Sequence, residues 1–138
     1  MSVYVDADVL ASLFSPDANT GRASAAMASI DQDVVASDFA CAEFASVVAK
    51  RVRMRALTVA QGRRVLATFD EWVSSHVFVA PTEPGDISQC AKYLRRLDLP
   101  LRTPDALHIA IASRLRAPIL SFDRNLLSSA RRLGVPTA

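Results

Sequence analysis

The sequence predicts an α/β fold: a central, mostly parallel sheet of four to five short strands with helices on both faces. Three observations carry that expectation. Short β-branched or aromatic runs recur along the chain, as 2-SVYV-5, 34-VVAS-37, 77-VFVA-80 and 118-PILS-121. Stretches with helical spacing separate them, and that alternation is the mark of parallel strands joined by crossover helices. The length of 138 residues, 51% hydrophobic and 22% charged, suits one folded domain over residues 1–138 rather than a disordered chain.

The first strand ends at Asp6, and 7-ADVLASLF-14 follows with helical spacing until Ser15-Pro16. A second small helix, 22-RASAAMASI-30, comes after Gly21 and leads into the strand 34–37. Asp38 is expected to cap the long helix 39-FACAEFASVVAKRVRMR-55, whose last turns carry cations, as the helix dipole favours. Thr58 starts a helix reaching about Ser75. Pro81 ends the strand 77–80, and 84-PGDISQCAKYLRRL-97 is the next helix. In 101-LRTPDALHIAIA-112, Thr103 is the expected N-cap, Pro104 the first helical residue and Asp105 the second. That helix runs to about Leu115 and looks buried nearly all round. Strand 118–121, helix 124-RNLLSSARRL-133, Gly134 as its C-cap and a short 135-VP-136 complete the order, with no internal repeat or linker.

Composition excludes some classes. No apolar run approaches the roughly 20 residues that span a bilayer. The start, 1-MSVYVDADVL-10, lacks a basic segment and meets an Asp at once, so no secretory signal is expected and the cytoplasm is the expected compartment. Cys41 and Cys90 have no C-x-x-C spacing and read as two small buried hydrophobes without a disulfide. The net charge is only +2, but the cations are nearly all Arg, with Lys only at 50 and 92. Arg suits bidentate contacts to phosphate or carboxylate, although a GC-rich coding bias would give the same excess.

The informative residues are carboxylates. In open α/β sheets, ligands bind beyond the carboxyl ends of the strands. Asp6 follows the first strand, Asp8 lies two residues on, and Asp123 lies just past 118-PILSF-122. Each has a local explanation: an Asp after a strand often caps the next helix, and the dipole favours an acid in a first turn. Glu43 is the only charged residue between Asp38 and Lys50, in a helix of Phe, Ala, Cys, Ser and Val. A carboxylate on an apolar face costs several kcal/mol unless paired or metal-bound. Exposure, or a pair with Lys50, is the plainer alternative. Asp105 gains from the dipole of its own helix, yet that helix's N-terminus must sit beside the strand exits.

Taken together, four or five acids from distant parts of the chain converge on one crevice. Such a cluster needs a cation, and all-oxygen ligands favour Mg²⁺ or Mn²⁺ over zinc. Without Asp6, Glu43, Asp105 and Asp123, ten acids remain against sixteen bases. An acidic pocket in a basic body suits a polyanionic substrate.

At these residues the chain resembles the PIN-domain ribonucleases, and among them the VapC-type toxins. The resemblance spans nearly the whole chain and rests on 3-VYVDADVL-10, on Glu43 in the helix after 36-ASDFA-40, on 102-RTPDALHIA-110 and on 120-LSFDRNL-126. It implies a PIN-like three-layer fold. It also implies that Asp6, Glu43, Asp105 and Asp123 are the catalytic acids and hold one or two Mg²⁺ or Mn²⁺ ions. The implied reaction is hydrolysis of RNA phosphodiester bonds to a 5′-phosphate and a 3′-hydroxyl. Members often carry Ser or Thr two residues after the first Asp; here that residue is Asp8, an extra acid that could serve from outside the metal's own ligands. Thr103 would bond locally and help fix Asp105, and Arg102 and Arg124 are candidate phosphate contacts. His108 reads as a packed or hydrogen-bonded helix residue in preference to a ligand. The 50-KRVRMR-55 segment is either an RNA-backbone contact or a solvated helix end. Phe69 and Trp72 read as core or partner-facing. The resemblance further implies a cognate VapB-type antitoxin over the acidic groove and a homodimer through the early helices.

Two rivals share the opening motif. A haloacid-dehalogenase-type phosphatase would use Asp6 as nucleophile and Asp8 as acid, but needs a later Lys, and Lys92 lacks the context. A receiver domain would need a phospho-acceptor Asp where this chain is basic. A non-catalytic module that keeps the PIN fold is the remaining alternative.

Overall fold

A computed structural model describes residues 1–138. The chain runs β1 (Ser2–Val5), α1 (Ala7–Phe14), α2 (Thr20–Ala28), β2 (Asp33–Ser37), α3 (Asp38–Arg53), α4 (Val59–His76), β3 (Val77–Ala80), α5 (Pro84–Arg95), α6 (Thr103–Leu115), β4 (Ile119–Leu120) and α7 (Arg124–Arg132). The four strands form one sheet in the order β3-β2-β1-β4, and every pairing is parallel. This is the α/β architecture expected from the alternating pattern. No helix is long and apolar enough to cross a membrane.

Strand alternation sorts the core into two halves. Tyr4 and Val35 point to one face, where they pack with α6 residues Ile109 and Ile111 and with Leu126 of α7. Val5 and Ala36 point to the other, with Leu10, Phe44, Val48 and Phe69 from α1, α3 and α4. On that second face Phe44 stacks on Phe69 with ring centroids 3.9 Å apart. Trp72 is half-buried against the same cluster. Residues 106–112 of α6 are all buried, because the helix is covered by the sheet on one side and by α5 and α7 on the other. The strand order reverses direction between β1 and β4, which opens a crevice beyond their carboxyl ends.

Several local expectations are corrected. Ser37, not Asp38, caps α3: its hydroxyl accepts the Ala40 amide at 2.9 Å, while Asp38 bonds the amide and hydroxyl of Thr82. Thr103 is the first residue of α6 rather than its cap; Arg102 occupies the cap position, and the cap's amide is satisfied by Asp105 in the third helical position. The piece 135-VP-136 is not a fifth strand; only one bridge, Ile119 to Thr137, joins the sheet there. Proline has no amide to donate and the segment is short, so a ladder cannot extend. Gly134 does end α7, with φ of 77°.

Candidate functional site

The acids expected at the strand exits meet in one crevice of about 290 Å³, lined by Asp6, Asp8, Glu43, Asp105, His108 and Asp123, with Ala7, Ser46 and Val47 completing its wall. Five carboxylates and one imidazole therefore share a single opening. No Lys or Arg is among the lining residues. Arg102 and Arg124 are exposed beside it, and neither pairs with an acid. Thr103 is also exposed; its side chain makes no hydrogen bond to Asp105, so the local support expected of it is absent.

Every acid but Glu43 is delivered by the end of an element. Asp6 leaves β1 and caps α1, its Oδ1 accepting the Ala7 amide at 2.7 Å. Its Oδ2 accepts the Ser121 hydroxyl at 2.8 Å. Asp8, in the first turn of α1, accepts the Phe122 amide on Oδ2 at 3.0 Å. Its Oδ1 is buried with no hydrogen-bond partner. Asp105 accepts the Arg102 amide on Oδ2 at 3.1 Å. Asp123 caps α7, with Oδ1 taking the amides of Asn125 and Leu126 at 2.9 and 3.1 Å. Glu43 projects from the middle of α3, and its Oε1 is bonded to His108 rather than to Lys50.

The electrostatics follow from this crowding. Burial holds the Asp6 carboxyl above its ordinary range, although the His108 ring and the Ser121 hydroxyl pull the other way. Burial, with the Asp6 charge beside it, pushes Asp8 up to about 7. Asp105 is raised by burial and by the charges of Asp123 and Asp6, against the pull of the Arg102 amide. For His108, burial disfavours the charged ring, but the bond to Glu43 and the charge of Asp6 outweigh it and raise its pKa. Like charges held this close to one another repel and favour a cation within the crevice. Asp6, Glu43 and His108 each offer a ligand atom, all within 4.8 Å of one another.

Sequence reasoning missed three contributors. Ser121 donates to Asp6 and accepts the Asp123 amide at 3.0 Å, so one hydroxyl ties two acids together. Tyr4 and Ser37 reach the site from inside the sheet through His108. Ser121 is the only polar residue in 118-PILSF-122, and that contrast was its one available signal.

Comparison with known proteins agrees with this geometry. Among solved structures, the toxin VapC20 of Mycobacterium tuberculosis, described as cleaving the Sarcin-Ricin loop, is similar in fold with a TM-score of 0.76 and 21% identity, over 92% of this chain and 94% of that one. The VapBC2 structure from Rickettsia felis, bound to a DNA fragment from its promoter, gives a TM-score of 0.73 at 11% identity, over 100% of this chain and 98% of that one. FitAcB from Neisseria gonorrhoeae gives 0.67 at 17% identity, over 99% and 96%. No curated protein sequence matches the chain. The PIN domain family model, however, matches residues 3–132. That span holds every acid in the crevice, and with the parallel sheet that positions them it establishes that the chain belongs to the PIN-domain family.

Proposed function

We propose that this protein is a metal-dependent endoribonuclease of the VapC type, which hydrolyses RNA phosphodiester bonds and is neutralised by a cognate VapB-type antitoxin. The observation that carries the reading is the crevice of five carboxylates at the β1–β4 switch point, free of any basic side chain but His108. The donor set fits a hard divalent cation, Mg²⁺ or Mn²⁺, because it is almost wholly carboxylate oxygen. The buried, unpartnered Oδ1 of Asp8 fits it too, since water bound to the cation would satisfy an atom that the protein leaves without a partner.

In this reading Asp6, Glu43, Asp105 and Asp123 would hold the cation, and one of them would orient the attacking water. A bound divalent ion supplies Lewis acidity and lowers the pKa of water. Asp8 adds charge at the rim of the set and increases the need for the ion. Arg102 and Arg124, exposed beside the crevice, would meet phosphates of a strand lying across it. The antitoxin is supported by the proteins that share this fold, one of which is described as a toxin–antitoxin complex. A homodimer and action in the cytoplasm belong to the same proposal.

The phosphatase reading weakens, because it needs a lysine at the nucleophile and none lines the crevice. A non-catalytic module has no use for five acids crowded into one crevice, three of them held above their ordinary range by burial.

The decisive experiment incubates the purified protein with structured RNA in Mg²⁺, Mn²⁺ or EDTA, beside Asp6→Asn and Asp105→Asn. Cleavage by the wild type only with metal, reduced at least ~100-fold in both variants, is expected. Equal cleavage by all three proteins, or none by any under every metal tried, defeats the proposal. Light scattering reports the dimer, and co-purification with the product of a neighbouring reading frame reports the antitoxin.

A further inference from the structure

We propose that His108 is a positioning residue that aims Glu43 and Asp6, and is itself aimed by a buried chain of two hydroxyls, Tyr4 and Ser37. This rests on the metal-centred reading above and assigns to the same site a support that the acids alone do not provide.

The chain is continuous. The Ser37 hydroxyl oxygen accepts the Ala40 amide at 2.9 Å. Ser37 and the Tyr4 hydroxyl lie 2.8 Å apart, and the Tyr4 hydroxyl lies 2.6 Å from Nδ1 of His108. Nε2 of the same ring bonds Oε1 of Glu43 and lies 3.2 Å from Oδ1 of Asp6. Both partners of Nε2 are carboxylate oxygens, so Nε2 carries a hydrogen and donates it. Tyr4, Ser37 and His108 are each buried at 2% exposure or less, so water cannot stand in for any of them.

The sheet makes this geometry. Tyr4 and Asp6 share one face of the β1 direction, two residues apart. Ser37 lies on the same face of the adjoining strand as Val35. α6 lies across that face and brings His108, one turn after Asp105, over Tyr4. Phe39 closes the remaining side of the ring, its centroid 5.2 Å from the imidazole. The ring is thus locked by packing and by Tyr4, and its one free direction points at the two acids.

The consequence falls on Glu43. It is the one acid of the crevice presented from mid-helix rather than from a capping position, so no backbone amide fixes it. His108 takes the place of that amide. It holds Oε1 and leaves Oε2 without a hydrogen bond in the chain. A carboxylate fixed in this way binds a cation without first losing its rotamer freedom.

A positioning role differs from ligation by His108. If His108 acts through Glu43, with Asp6 kept in place by the Ala7 amide and the Ser121 hydroxyl, removing both costs little more than removing Glu43. If His108 is itself a ligand, the losses add. The test measures Mn²⁺ affinity by calorimetry for the wild type, His108→Ala, Tyr4→Phe, Glu43→Gln and the His108→Ala/Glu43→Gln double variant. We expect Kd to rise about 10-fold or more for His108→Ala, less for Tyr4→Phe, and by under about 2-fold when His108→Ala is added to Glu43→Gln. A loss in the double variant equal to the product of the single losses overturns the proposal. A second readout needs neither metal nor a cavity-forming variant: the imidazole N–H resonance of His108 in EDTA. A slowly exchanging signal in the wild type that moves in Tyr4→Phe and in Glu43→Gln is expected. Its absence, or its indifference to both changes, overturns the proposal. If the signal behaves as expected but the wild type binds no Mn²⁺, the metal-dependent reading fails while the hydrogen-bonded chain stands.

Discussion

Asp8→Asn should make the metal-free protein more stable at pH 8. The wild-type carboxyl is pushed up to about 7 by burial and by Asp6, against an ordinary value of 3.8. At about 1.36 kcal/mol per pH unit, keeping Asp8 charged at pH 8 costs the folded chain roughly 4 kcal/mol. The sign follows from proton counts. Between pH 4 and 7 the folded state holds a proton on Asp8 that the unfolded state has released, so stability falls as pH rises through that window. Asparagine keeps an acceptor for the Phe122 amide and removes the charge. Its new amide group enters a spot with no acceptor but the neighbouring acids, which offsets about 1–2 kcal/mol of the gain. The net gain is then about 2–3 kcal/mol, or roughly 6–9 °C in Tm for a domain of this size. Thermal unfolding followed by circular dichroism in EDTA measures it. The gain should shrink by about half or more at pH 5, and saturating Mn²⁺ should favour the wild type instead. An asparagine variant that melts at or below the wild type in EDTA at pH 8 refutes the premise that Asp8 carries an uncompensated charge.

Other outcomes follow from particular contacts. Arg114→Ala strips the buried Asp86 of both guanidinium bonds, at 2.8 and 2.9 Å, and should cost about 3–5 kcal/mol in urea denaturation. Gly62→Ala brings a Cβ to 2.9 Å from Val52 Cγ2, so the helix-propensity gain is outweighed and stability should fall by about 1 kcal/mol; adding Val52→Ala should remove the clash and leave only that variant's own loss. Ser121→Ala should leave the fold's melting profile cooperative but weaken Mn²⁺ binding about 10-fold, since Asp6 and the Asp123 amide lose their shared hydroxyl. Arg124→Ala should slow RNA cleavage and flatten its salt dependence while leaving Mn²⁺ affinity unchanged, as expected of an exposed phosphate contact.

The acids were legible because each breaks a local pattern. Glu43 interrupts an apolar helix, and Asp6 and Asp123 end apolar runs. The parallel sheet then dictates that such residues lie at one edge. The caps were less legible, for a local reason. Ser37 and Asp38 are adjacent and both are good N-caps, and only the backbone turn decides between them. At α6 Thr103 falls inside the helix, and the amide of the cap residue Arg102 is met by Asp105, three residues past it. Tyr4 and Ser37 were not legible at all, and Ser121 only as the one polar residue of an apolar run. Ser121 meets Asp6 across 115 residues and Tyr4 meets His108 across 104, and no periodicity marks a hydroxyl that faces a carboxylate rather than a backbone group.

The hydrogen bonds also say why capping residues make good site residues here. Asp105 and Asp123 each commit one oxygen to backbone amides at a helix start and leave the other unbonded within the chain. Asp8 does the same with the Phe122 amide, and there the spare oxygen is buried. Glu43 follows the rule with an imidazole in place of an amide. One oxygen fixes the carboxylate's orientation, and the second is left free of protein partners at the crevice. Fixing a charge that way is unfavourable for the metal-free fold, because amide bonds to the first oxygen do not relieve repulsion among the second ones. The cost is carried by the core that α6 anchors, where residues 106–112 are buried without a gap. A fold that loses stability at its acids and recovers it in the helix behind them holds its ligands apart in advance, so that a cation entering the crevice meets oxygens already in place.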